Sequence, residues 1–462
     1  MERGFINKIK SIVGTANVEE TPEQLYTYTY DASFGTADST VRPGLAVSPA
    51  SAEEISAVMA LCNQYEVAVI PRGAGSNLSG GTLPVNDCLF ILTQRMDSIL
   101  EIDRDNMLAR VQPGVVTAKL QRSVEEMGLF YPPDPASLNF CTIGGNLAEC
   151  AGGPRGLKYG VTRDYVLGLE AVLADGRVLK TGTKTIKGVT GYDLTRLLIG
   201  SEGTLAIFTE ATLRLVPKPP AQQTVLAIFD DVRGAAETVN KILLAGVIPA
   251  CIEFLDKKFI ACIEDYAKIG LPVDSEAVLL IEVDGQPEAL DKGTKIITEV
   301  CNKSGAREIA SASTSEKRDE LWTARRAAFA SISRLRPSIL TEDIVVPRNS
   351  FADMVITAQE IAEKYQLQMA ILGHAGDGNL HADIITDEND AEEMHRVTQA
   401  VKELLAEVLR FGGTISGEHG IGFSKAKYLQ LELDAVASDT MQQMKTVLDP
   451  KNILNPGKLF PL

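Results

Sequence analysis

The chain lacks any apolar run of about 18 residues, so a membrane-spanning helix is not expected. Basic residues are scarce, 45 against 61 acidic, and a net charge of -16 disfavours nucleic acid and anionic lipid as partners. A carboxylate substrate would need a locally basic pocket. The seven cysteines, Cys62, Cys88, Cys141, Cys150, Cys251, Cys262 and Cys301, form no CxxC pair, which excludes an evident iron-sulfur run. An odd, scattered set suits a reducing compartment. Met1 to Gly14 has no apolar h-region before a cleavage site, so a cytoplasmic location is expected. Phe5, Ile6, Ile9 and Ile12 instead predict a short amphipathic helix docked on the protein's own surface. There is no internal repeat and no low-complexity block.

What is present begins with glycine. A length of 462 residues allows two or three domains, each with its own core. Val67 to Ile70 reads as a buried strand, and it runs into Pro71-Arg72-Gly73-Ala74-Gly75-Ser76-Asn77-Leu78-Ser79-Gly80-Gly81. Such a loop can turn its N–H groups toward phosphate oxygens. It carries no Lys-Ser/Thr of the Walker kind, and no acidic residue closes the next strand as a Rossmann fingerprint requires. A second region comprises Pro132 to Ser137, with Pro135 and Ser137, then Thr142-Ile143-Gly144-Gly145-Asn146, Cys150 to Gly153, and Tyr159-Gly160. A third runs from Ile199 to Ile207 through Glu202 and Gly203.

Around these loops the pattern is that of a nucleotide-binding unit. Ser51-Ala52-Glu53-Glu54 predicts a capping box opening a helix with Ile55, Val58, Met59 and Cys62 on one face. Strands are expected at 89–93, 108–111, 167–173 and 211–216, with helices at 116–127 and 192–199. Pro217, Pro219 and Pro220 mark the first domain boundary. Beyond Thr224, strands at 224–229, 251–255, 277–283, 306–311, 344–346 and 368–372 alternate with helices at 235–244, 288–303, 315–333, 350–364 and 390–411, as in helices packed on a sheet. This half contains no dinucleotide loop.

All four histidines lie between positions 374 and 419. His374-Ala375-Gly376-Asp377-Gly378-Asn379-Leu380-His381 sets two imidazoles on either side of a tight turn, and Glu418 offers a third ligand for zinc, iron or manganese. On spacing alone, two turn histidines without a metal fit as well. His395 reads as an ordinary surface histidine.

In this order, the three glycine regions resemble the FAD-binding domain of the vanillyl-alcohol oxidase and p-cresol methylhydroxylase superfamily. Gly373 to His381, followed by Gly417-Glu418-His419-Gly420, resembles the metal and catalytic signature of FAD-dependent D-2-hydroxyacid dehydrogenases. The resemblance implies an α+β fold. Residues 1–218 would form the FAD-binding domain, 219–411 an inserted α/β substrate (cap) domain, and 412–462 a segment returning to the FAD-binding domain. It implies that His374, His381 and Glu418 hold the ion, that His419 is the catalytic base, and that Arg325, in Leu321-Trp322-Thr323-Ala324-Arg325, grips the substrate carboxylate. Asn455, in Asn455-Pro456-Gly457-Lys458, would lie near the flavin ring, and Asp377 would orient a ligand or neutralise the pocket.

The activity implied is oxidation of D-lactate, with electrons passed to an electron-transferring flavoprotein. Some such complexes couple this to NAD reduction by bifurcation. A glycolate oxidase flavin subunit with an iron-sulfur acceptor subunit, or another D-2-hydroxyacid dehydrogenase, is the alternative, and a non-catalytic flavoprotein scaffold would not need His374, His381, Glu418 and His419 together. The sequence departs from the pattern twice. Asn77 stands where relatives commonly have glycine, and Thr341-Glu342-Asp343 lacks the basic residue that a dicarboxylate would need, which favours a small monocarboxylate.

Overall fold

The computed structural model describes residues 1–35, 41–312 and 314–461. The chain folds into two compact units, one of residues 1–151, 161–218 and 418–462, the other of residues 152–160 and 219–417.

The first unit is built on two sheets. In one, strands Leu45–Val47, Leu89–Leu92 and Val69–Arg72 are parallel, with Val18–Glu19 antiparallel at the edge. These strands are short, β-branched and buried, as a sheet covered on both faces requires. The Ala52–Tyr65 helix turns Ile55, Val58, Met59 and Cys62 into the core, and Phe5, Ile9 and Val13 of Arg3–Val13 join them. Ser51 caps the longer helix by accepting the Glu54 N–H. The predicted box closes one residue early, because the Glu54 carboxylate takes the N–H of Ala50. The other sheet is antiparallel, in the order Ile99–Asp103, Leu108–Val111, Ile207–Arg214, Val166–Val172 and Val178–Gly182. Residues 453–455 return to the first sheet. Val69 donates to the Ile453 carbonyl and Asn455 donates to that of Val69.

The second unit is organised by a seven-stranded antiparallel sheet. Its order is Ala306–Ser311, Ala221–Phe229, Ala277–Gly285, Cys251–Asp256, Gln368–His374, Asn379–Thr386 and Ser338–Val345. Two strands differ from expectation. Ser338–Val345 is longer than 344–346 because polar Thr341, Glu342 and Asp343 lie inside it, and Asn379–Thr386 was hidden behind the histidine turn. The helix expected over 315–333 is two, Ser315–Arg326 and Ala328–Ile332, separated at Ala327. One core of this unit gathers Phe259, Ile260 and Ile263 of the Lys257–Ala267 helix with Ala324, Ala328, Ile332, Leu255 and Leu372. No helix among the described residues is long and apolar enough to cross a membrane.

Candidate active site

In the first unit the glycine regions form a backbone cradle. Gly75 and Gly80 have φ of 68° and 76°, in the left-handed region that a Cβ disfavours. A Cβ on Gly73 would meet Thr142 Oγ1, and one on Gly75 would enter the Arg72 guanidinium. One on Gly144 would lie 2.7 Å from Pro113 Cβ. Among the described residues the N–H groups of Gly73 to Asn77 have no hydrogen-bond partner, as a loop that offers donors to an anion requires. This suits the pyrophosphate of FAD.

Several residues expected at the cofactor also make hydrogen bonds that hold the cradle loops in place. Arg72 is buried and donates to the Tyr30 carbonyl at 2.9 Å and to Thr82 Oγ1 at 3.1 Å, and burial lowers its pKa. Asn77 donates at 2.8 Å to Asp31 Oδ2, which also accepts from Thr82, so its amide ties the loop down where a glycine would leave it slack. Thr142 caps the Ile143–Glu149 helix through Gly145 N, while Asn146 donates at 2.8 Å to Thr117 Oγ1 in the interior. Cys150 closes that helix with φ 55°, its Sγ 3.0 Å from Arg163 Nε. Pro135 and Ser137 supply carbonyls to the turn that ends at Cys141. Gly203 (φ 69°) packs on Pro71, and Ile207 points into the core. Ala74, Ser76, Ser79, Gly81 and Gly145 stay within the cradle loops, but Gly153, Tyr159 and Gly160 fall in the second unit, where Tyr159 Oη donates at 2.5 Å to Asp284.

Two side chains stitch the cradle to the 418–462 segment. Asn455 Nδ2 donates to the carbonyls of Gly81 at 2.8 Å and Glu202 at 2.7 Å, joining the first and third glycine regions. The Glu202 carboxylate accepts from Ile421 N at 2.7 Å and Gly422 N at 2.6 Å, directly after His419. Burial pushes Glu202 up to about 7, against those two N–H bonds. Burial, and then the charge of Glu202, raise Glu149 as well, and Gly420 lies against both carboxyls, where a Cβ would not fit.

In the second unit the candidate residues share one sheet face. Register pairs Glu253 with His374, His374 with Asn379, Leu372 with His381, His381 with Asp343, and Ala370 with Asp383. Directly paired residues point to the same side and side chains alternate, so Glu253, His374, His381, Asp343 and Asp383 all point the same way. The hairpin sets the two histidines diagonally. Their Nε2 atoms are 3.5 Å apart, and both rings are buried. His374 Nδ1 is 2.7 Å from Glu253 Oε1, and His381 Nδ1 is 3.8 Å from Asp343 Oδ1. Asp343 also accepts from Asn379 Nδ2 at 2.7 Å and from Gly417 N at 2.8 Å, so it holds the residue from which the chain passes to Glu418. Burial pushes Asp383 up to about 6, against lowering by Thr341, His381 and Arg325.

Arg325 arrives from the Ser315–Arg326 helix. Leu321 and Trp322 lie one helical turn earlier, pack with Cys251 and Leu280, and anchor it, with Trp322 Nε1 donating to Thr224 Oγ1 at 3.3 Å. Arg325 Nη2 forms an ion pair with Glu253 Oε2 at 2.5 Å. Its Nε is buried without a hydrogen-bond partner among the described residues, so one donor of the guanidinium is free for a ligand. Arg326 is exposed. Burial opposes ionisation of Glu253, but His374 and Arg325 outweigh it and hold its pKa below the usual value.

This geometry fits a divalent ion. Zn–N bonds of about 2.0–2.1 Å at a tetrahedral angle separate two nitrogens by about 3.4 Å. The facing Nε2 atoms are at nearly that separation, and each ring's other nitrogen lies toward a carboxylate, the usual support of a ligating imidazole. Sequence reasoning missed Glu253, Asp343 and Asp383 as functional residues. The Asp377 carboxylate lies against Gly156, and its N–H closes the turn onto the His374 carbonyl at 3.2 Å. His395 is exposed and bonds Gln399. Glu418 and His419 open the 418–462 segment of the first unit.

Comparison with known proteins finds two family models along the chain. A family model described as FAD binding domain matches residues 43–182, and one described as FAD linked oxidases, C-terminal domain, matches residues 218–459. Glycolate oxidase subunit GlcD of Bacillus subtilis is 47% identical over 97% of this chain and 95% of its own length. D-lactate dehydrogenase of Archaeoglobus fulgidus is 38% identical over 89% of this chain and 90% of its own. The structure of p-cresol methylhydroxylase with substrate bound superposes with a TM-score of 0.84 at 19% identity, covering 100% of this chain and 98% of that one, and so shares the fold. The chain therefore belongs to the FAD-linked oxidases, as a FAD-dependent oxidoreductase with the α+β fold of p-cresol methylhydroxylase, in which a cap domain is inserted into the FAD-binding domain.

Proposed function

We propose that this protein oxidises a small 2-hydroxy monocarboxylate to the 2-oxo acid, with glycolate as the first candidate and D-lactate as the second. The observation that carries the proposal is the sheet face holding His374 and His381, which Arg325 reaches from its helix through Glu253, so that a guanidinium with a free Nε–H stands beside a metal-type histidine pair. Glycolate leads because the 47% identical Bacillus subtilis relative bears that name, and D-lactate follows from the 38% identical Archaeoglobus relative. The absence of a basic residue in Thr341-Glu342-Asp343 supports a monocarboxylate.

Arg325 grips the carboxylate through its free Nε–H and an adjacent Nη–H, a two-pronged arrangement that lysine does not reproduce. His419 takes the proton of the 2-hydroxyl, a task for a group titrating near neutrality. Asp343 orients His381 and fixes Gly417, and so the start of Glu418-His419. His374, His381 and Glu418 would hold a divalent ion, whose positive charge would make the hydroxyl more acidic. The glycine cradle would hold FAD, which when bound would supply the two-electron acceptor for the hydride leaving Cα. The partner that would take the electrons on is a separate redox protein, an electron-transferring flavoprotein or an iron-sulfur subunit.

The test is anaerobic absorbance of the FAD- and metal-loaded protein mixed with glycolate, D-lactate, L-lactate or D-2-hydroxyglutarate. Rapid bleaching of the oxidised-flavin band by glycolate or D-lactate is expected, and the faster of the two ranks them. A loaded protein that responds to neither overturns the substrate proposal.

A further inference from the structure

Among the described residues, the Glu253 carboxylate contacts both the arginine proposed to grip the carboxylate and a metal-type histidine. It is fully buried on the Cys251–Asp256 strand, with Oε2 2.5 Å from Arg325 Nη2 and Oε1 2.7 Å from His374 Nδ1. A buried carboxylate has to be balanced by its neighbours, and here a single negative charge is divided between two recipients. When Arg325 turns part of its charge to an incoming carboxylate, Glu253 is drawn less by the guanidinium and polarises the His374 N–H more strongly. That raises the basicity of Nε2, the nitrogen aimed at His381. Linkage requires the converse, so a bound ion must strengthen carboxylate binding by the same factor.

We propose that Glu253 is a positioning residue that couples ion affinity to carboxylate affinity, so that the site closes on its anion and its cation together. The inference rests on the metal and arginine roles proposed above, and it goes beyond them by making the two sites interdependent through one residue. Propionate is the probe of choice, since it has the carboxylate but no hydroxyl with which to chelate.

The experiment measures dissociation constants of Zn2+ and Mn2+ by chelator competition on FAD-loaded protein, with and without saturating propionate, whose binding is followed by perturbation of the flavin spectrum. In the unmodified protein propionate should tighten the ion by about fivefold or more, the lower end of ordinary coupling between sites. Glu253→Gln should weaken the ion by about 10–100-fold, as loss of a supporting carboxylate does, and should abolish the propionate effect while propionate still binds. Arg325→Gln should also abolish the effect but leave the ion at least as tightly held. If Glu253→Gln fails to load FAD, Glu253→Asp decides, since the shorter carboxylate cannot reach both Arg325 and His374 and should lessen the propionate effect while propionate still binds. A propionate effect that survives either substitution, or an unmodified protein that holds its ion with no such effect, overturns the inference and leaves the metal site standing. A protein that binds neither ion overturns the metal reading itself, and this inference with it.

Discussion

The two units build their candidate sites from opposite materials. The cradle of the first unit is backbone. Its glycines lie where a Cβ would strike Thr142, Arg72 or Pro113, and its polar side chains, Arg72, Asn77, Asn146 and Asn455, brace the loops. The site of the second unit is side chain, five ionisable groups set by register on one face of a rigid sheet. The difference teaches where each should be fragile. Adding a methyl should harm the first, and removing a functional group should harm the second.

The sharpest test belongs to chemistry. His419→Ala should cut turnover by about 10²–10⁴-fold while flavin perturbation by substrate persists, as expected of a lost general base. Steady-state kinetics with substrate titration checks this, and near-normal turnover would sink the role. His381→Ala comes next. It should strip the ion, measured by elemental analysis after gel filtration, yet leave FAD content unchanged, because the glycine loops belong to the first unit and the hairpin to the second. Gly75→Ala is the mirror image. The left-handed backbone alone costs about 1–2 kcal/mol and the Arg72 contact adds to it, so FAD affinity should fall by about tenfold or more with ion content intact. Equal loss of both ligands in either variant would break the comparison.

The smallest effect concerns pH. Burial pushes Asp256 up to about 7, although it accepts from Phe259 N and Ile371 N. An unfolded aspartate titrates near 4, so between about pH 4 and 7 the folded chain holds a proton that the unfolded chain has lost. Asp256 therefore subtracts stability as pH rises through that window and no more above it. The melting temperature should decline by a few degrees from pH 5 to 7.5, and Asp256→Asn should flatten the decline.

The cradle was readable in advance because glycine leaves a trace of the job it does: a positive φ or a close approach excludes other residues, so the motif and the geometry coincide. What the trace did not say was which neighbours face the ligand. Arg72, Asn77 and Asn146 sit in the motif yet spend their polar atoms on Tyr30, Asp31 and Thr117. On the sheet the reverse held. His374 and His381 stood out as a short-range pair, but Glu253 and Asp343 reach them from strands 121 and about 38 positions away. No local pattern marks a glutamate in Cys251–Asp256 as different from any other inward strand residue. Only the register that pairs it with His374 does so. Polar residues on that face also disguised the strand at 338–345, since alternation was sought between apolar and polar side chains and this face is charged.

The stitch made by Asn455 sets an order of events in synthesis. The side chain spans 374 positions to reach the Gly81 carbonyl, and Val69 pairs with Leu454 over a similar distance. Contacts of such long sequence separation form slowly, because most of the chain must be closed into a loop before they contribute. The glycine loops emerge from the ribosome early and the residue that locks them emerges late. A nascent chain halted before residue 453 would carry a cradle without the bonds that Asn455 and the 453–455 backbone supply.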